Sequence, residues 1–122
     1  MINRDELQQA VATITAVDAN IGTNVLANFR RFIYRVKLTN LFAGVNLITL
    51  GERINGAGVT TAIDYIQFIL LYDLYIDPEE LEEDAAPIYI IDGAGAGGAS
   101  TLRAVGSAGN AYFAYWYIDA EA

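Results

Sequence analysis

The amino-acid sequence predicts a mainly β fold, an antiparallel β-sandwich or jelly-roll-like barrel with a short N-terminal helix or arm. Three observations lead there. Apolar segments dense in β-branched and aromatic residues recur at short intervals, and such side chains suit a pleated surface. Turn residues punctuate them: Asn55-Gly56 is a strong hairpin signal, and Gly-rich runs follow at 93–98 and 106–109. Helix signals are confined to two short stretches. Residues 1–28 read as the helix or arm and 29–122 as a single β-sandwich domain, with no internal repeat.

The first helix signal covers Asn3 to Val17. Asn3 is placed as an N-cap with Glu6 as its capping-box partner, and Leu7, Val11 and Ile14 form one apolar stripe. The β-branched Thr13-Ile14-Thr15 argues against helix at its far end. Phe29 to Thr39 then alternates clearly, with Phe32, Tyr34, Val36 and Leu38 on one face and Arg31, Ile33, Arg35 and Lys37 on the other. Val45 to Ile54 is expected to pair antiparallel, through the Asn55-Gly56 turn, with the start of the next segment.

That segment, Val59 to Ile76, is the longest apolar run. Both of its alternating faces are apolar, so it reads as paired or bulged central β-structure, buried on both sides or covered by another subunit. Asp64, Gln67 and Asp73 interrupt it, which argues against a membrane span. Asp77-Pro78 with the acids behind it predicts one or two helical turns. Ile88 to Ile91 is a short strand leading into the Gly/Ala run. That run lacks the following helix and the ribose-binding acid of a dinucleotide loop, and reads as a closely packed connection. The last strand, Ala111 to Ile118, has Tyr112, Ala114, Trp116 and Ile118 on one face and Ala111, Phe113, Tyr115 and Tyr117 on the other; a strand of this kind left at a sheet edge would invite pairing with another chain.

Composition limits the chemistry. The chain has neither Cys nor His, which removes most zinc sites and every Cys or His nucleophile arrangement. Asp64 and Asp73 are the carboxylates set within apolar sequence, and either suits a structural role as well as an acid–base one. The acidic run 77–84 lacks the spacing of a calcium loop. No enzyme activity, cofactor or metal is expected. A net charge of −8 disfavours direct nucleic-acid binding. An apolar content of 54% exceeds the usual 45 to 50% of a soluble domain and points to subunit contacts.

The expected function is a self-assembling structural protein. The absence of a signal-peptide pattern at the N-terminus favours a virion component, a capsid or capsid-decorating protein, assembled in the host cytoplasm. Its partner is another copy of itself, in an oligomer or lattice, or a larger capsid protein. The expected contacts are a basic strand, Arg30, Arg31, Arg35 and Lys37, facing the acidic Glu79, Glu80, Glu82 and Glu83 of the next copy, and the aromatic Tyr112, Tyr115, Trp116 and Tyr117. An extracellular filament or tube subunit is one alternative. A carbohydrate- or ligand-binding β-sandwich module, using the same aromatic residues, is another.

Overall fold

A computed structural model describes residues 6–54, 59–93 and 100–121. Among them are nine strands: β1 (Gln8–Ile14), β2 (Ala19–Asn20), β3 (Phe29–Asn40), β4 (Asn46–Arg53), β5 (Thr61–Phe68), β6 (Leu74–Asp77), β7 (Tyr89–Asp92), β8 (Thr101–Gly106) and β9 (Ala111–Glu121). They form two antiparallel sheets. One runs β1-β9-β3-β6 with β7 also on β3, and the other runs β2-β8-β4-β5. The pairing is nested: β1 meets β9, β2 meets β8, β3 meets β6 and β7, and β4 meets β5. A long hairpin with its bend between β4 and β5 has thus been wrapped until β9 also reaches β3 and β8 also reaches β4.

Both sheets line one core. Ile33, Val36, Leu38, Phe113 and Tyr115 come from the five-stranded sheet, and Ile48, Leu50, Ile66, Phe68 and Leu102 from the four-stranded one. The result is a sandwich-like, mainly β molecule. Tyr89 tethers the layers where its hydroxyl donates to Asp64 Oδ2 at 2.7 Å, from β7 to β5. Burial, and then that bond, raises the Tyr89 phenol above its ordinary value.

The N-terminal stretch departs from the helical reading. Gln8–Ile14 is a strand in register with β9, and Ile14, Ile21 and Val25 enter the core, so this part of the chain is integral to both sheets. The β-branched Thr13-Ile14-Thr15 run, which argues against helix at the far end, falls at the end of this strand, whereas the capping residue Asn3 lies outside the described residues. A strand is favoured because β9 offers an open edge and branched side chains lose rotamer freedom in a helix.

Asp77 closes β6, and Pro78 to Asp84 is not helical either. Bends and one turn, closed where Ala85 N donates to the Glu82 carbonyl at 3.2 Å, take its place. Glu79, Glu80, Glu82 and Glu83 would repel one another at helical spacing, and Leu81 supplies too little apolar surface to anchor a helix face.

The Val59 to Ile76 segment is divided. β5 lies at the edge of the four-stranded sheet and β6 belongs to the other sheet, with the 69–73 turn crossing between them. Only Ile66 and Phe68 of β5 are fully buried, while Tyr65 is exposed. The expected pairing of β4 with β5 is present, from Asn46↔Phe68 to Glu52↔Thr61, although Asn55-Gly56 itself lies outside the described residues. Most of the Gly/Ala run does so too. Gly93 is described, and a Cβ there would collide with the Leu26 and Phe29 carbonyl oxygens, as a closely packed connection requires.

Candidate functional site

β3 determines which charged side chains reach the surface. Its ladder with β9 slips between Ile33 and Arg35, leaving Tyr34 without an opposite residue. The bulge reverses the inward set, so Arg31 and Ile33 point into the core before it and Val36, Leu38 and Asn40 after it. Arg31 therefore leaves the basic face assigned to it from sequence. Arg35 and Lys37 stay outside.

Arg31 is only 1% exposed and all five of its N–H donors are used. Nε and Nη2 donate to the two Asp119 carboxylate oxygens at 2.8 and 2.9 Å, and Nη2 also to Thr23 Oγ1 at 3.0 Å. Nη1 serves the Thr23 carbonyl at 2.7 Å and Tyr115 Oη at 3.2 Å. The guanidinium lies 4.1 Å from the Tyr117 ring centre. Burial alone would lower its affinity for a proton, but the interactions with Asp119 and Tyr115 together outweigh that and raise it. Tyr115, whose hydroxyl donates to the Ile21 carbonyl at 2.9 Å, and Tyr117 pack inside beside Phe113. These three predicted contact residues, Arg31, Tyr115 and Tyr117, are core.

The remaining aromatics of β9, Tyr112 and Trp116, face out. β9 itself sits between β1 and β3 and has no free edge. Trp116, Arg35, Leu7 and Leu81 line an open recess of about 390 Å³. The Arg35 guanidinium is 5.6 Å from the Trp116 ring centre, its Nη2 donates to the Glu79 carbonyl at 3.0 Å, and its buried Nε has no hydrogen-bond partner. β6 pairs with β3 beside it, Val36 opposite Asp77. The basic strand and the acidic 77–84 run are accordingly neighbours within one chain, where sequence reading had them facing each other across two copies. Arg30 pairs at 3.6 Å with Asp92. On the other sheet, Asp18 takes Arg103 at 3.2 Å, Arg53 at 3.4 Å and the Thr60 hydroxyl at 2.5 Å. Burial pushes the Asp18 carboxyl up, but Thr60 and Arg103 more than offset it and hold it below the usual carboxylate value.

One end of the molecule was not found by motif reading. There the turns 40–46, 69–73 and 107–110 meet around two buried asparagines. Asn40 Nδ2 donates to the carbonyls of Leu70 at 2.8 Å and Phe42 at 2.9 Å, and Asn46 Nδ2 donates to Asn40 Oδ1 at 3.2 Å and the Gly109 carbonyl at 3.1 Å. Asp73 Oδ2 accepts from Ile69 N and Leu70 N, both at 2.9 Å. Those two backbone bonds lower its carboxyl below the usual value. Tyr72 has φ 66°, a conformation costing a bulky residue about 1–3 kcal/mol, and its N–H donates to the Asn40 carbonyl at 2.8 Å. This well-bonded frame holds apolar side chains in water. Leu70 is 65% and Tyr72 69% exposed, and Leu41, Val45, Leu47, Ile69, Leu71, Leu74 and Tyr112 are exposed with them. The uninterrupted apolar run Ile69-Leu70-Leu71-Tyr72 within Val59–Ile76 was the available signal.

Asp64 and Asp73 are both held in structural hydrogen bonds, the former also accepting from Tyr65 N at 2.8 Å. Among the described residues no group of three or more Asp or Glu side chains is placed to hold a metal, and no helix is long and apolar enough to cross a membrane. No protein-family model matches this chain, and neither does any curated protein or solved structure.

Proposed function

We propose that the chain is a self-assembling structural subunit, a virion component of the capsid or capsid-decorating kind, built on a jelly roll. The observation that carries this reading is the amount of large apolar surface left in water on an acidic chain, for which association is the ordinary explanation. The nested pairing β1·β9, β2·β8, β3·β6 and β4·β5 supports the jelly-roll part, since it is the order produced when one long hairpin is rolled into two sheets. Jelly rolls are frequent in capsids and also in lectins, so the step from fold to role is analogy.

Assembly in the host cytoplasm, on itself or on a larger capsid protein, belongs to the same proposal. A filament or tube subunit is the alternative setting. Arg30, Arg35, Lys37, Tyr112 and Trp116 remain outward contact candidates; Glu79, Glu80, Glu82 and Glu83 join them as the acidic border of that face.

A second reading, a carbohydrate- or ligand-binding module, is favoured by the recess in which Trp116 lies beside an Arg35 with an unpaired Nε–H. Native mass across a concentration series, with electron microscopy of the same samples, separates the two. Oligomers, shells or filaments are expected; a strict monomer that binds a glycan array and loses that binding in Trp116→Ala would replace the structural role with the binding one.

A further inference from the structure

The assembly reading leaves open where one copy touches the next. We infer that the contact is the end of the sandwich built from the turns around Asn40 and Asn46, and that its occupant is the same end or another part of a second copy of this chain. The inference rests on the assembly reading and adds a surface to it.

Nine of the fifteen exposed large apolar side chains among the described residues belong to this end. Backbone bonds bring them together: Leu41 N donates to the Asn110 carbonyl, Tyr72 N to the Asn40 carbonyl and Ser107 N to the Leu47 carbonyl, and Thr39 stands opposite both Leu74 and Tyr112. At about 200 Å² per large side chain, their exposed fractions amount to roughly 900 Å², close to the ~800 Å² per partner of a standard interface and beyond the ~300–600 Å² of a typical monomer's largest patch.

Charge selects the occupant. Residues 39–47, 69–76 and 107–112 contain one ionisable acid, Asp73, whose carboxylate is turned to its own turn's N–H groups. On a chain of net charge −8 this end brings a single carboxylate per copy to a contact, and that carboxylate is already bonded within its own turn. Anionic lipid and nucleic acid would meet the repulsion instead. The end is also rigid before contact. The asparagine frame and the positive-φ Tyr72 fix loop geometry in the free chain, which reduces the ordering cost of association.

The test is sedimentation velocity over a concentration series for the wild type, Leu70→Glu, Tyr72→Asn and Ile90→Glu. Asn accepts the left-handed backbone of Tyr72, and Ile90 is an exposed residue on β7, away from these turns. Circular dichroism verifies folding. The expected result is that Leu70→Glu and Tyr72→Asn each weaken association more than about tenfold while Ile90→Glu does not. If the wild type associates and both end variants associate equally well, the docking inference fails and the assembly reading survives. If the wild type is monomeric throughout, the docking inference and self-assembly both fail, and of the assembly reading only attachment to a larger capsid protein survives; phosphatidylcholine vesicle binding lost in Leu70→Glu would then reassign this end to lipid.

Discussion

Arg31→Met removes a buried side chain whose five N–H donors are all used, with little change in volume. The loss leaves the Asp119 carboxylate beside the core without its bidentate partner and the Thr23 carbonyl without a donor. Removing one member of a buried ion pair costs about 3–5 kcal/mol. The Asp119 side chain is 27% exposed, so water recovers part of its solvation, and the lower end, about 3 kcal/mol, applies. For a chain of this length that corresponds to a fall in Tm of roughly 10 °C. Urea denaturation followed by Trp116 fluorescence and far-ultraviolet circular dichroism measures it. Arg31→Met combined with Asp119→Leu should recover at least half of the loss, because no unpaired carboxylate then remains. A single variant within about 1 kcal/mol of wild type, or a double variant no better than the single, would refute the core assignment. Charge reversal at Arg31 is thus a folding experiment, and the outward Arg30, Arg35 and Lys37 are the basic residues of this strand that report on electrostatic association.

Asp18→Asn should cost about 1–2 kcal/mol at pH 7, a value reduced for screening at a carboxylate about a third exposed. The folded Asp18 pKa is depressed, so its contribution is complete above the unfolded value and disappears as pH falls through the folded one. Wild-type and variant melting curves should therefore converge below about pH 3.8, and a constant gap down to pH 2 would contradict the Asp18 network. Gly22→Ala forces a Cβ into the Tyr115 hydroxyl at φ 85° and should lose at least about 2 kcal/mol in the same urea assay. Tyr115→Ala should cost about 3–5 kcal/mol and Trp116→Ala about 1–2, since the first ring is fully buried and the second lines an open recess. Equal losses would mean that the two faces of β9 are wrongly assigned.

Much of the strand inventory was legible because side-chain period and turn chemistry are local. The 29–39 alternation, the β4–β5 pairing and the aromatic last strand were all read in place. Two local signals misled. The capping pattern at Asn3 and Glu6 suggested a helix where an available sheet edge took the segment, and Asp77-Pro78 suggested another where clustered acids oppose one. Of the proposed contact residues, Arg31 was placed on a basic outer face by its alternation, and a single unpaired residue, Tyr34, was enough to reverse that face; for Tyr115 and Tyr117 two apolar faces on one strand left core and contact open, and packing puts both rings in the core.

By itself, the sequence determined that this is an acidic, Cys-free and His-free chain of short strands carrying more apolar surface than one core uses. Those properties follow from composition and from two-residue periodicity, which need no knowledge of partners in space. Only the tertiary structure decided that Val59–Ile76 divides between two sheets, that the basic strand and acidic run lie side by side, and that apolar turns far apart in sequence share one end. Each depends on long-range register: a bulge changes inside to outside, and a nested hairpin brings residue 72 within hydrogen-bonding reach of 40 and residue 110 within reach of 41.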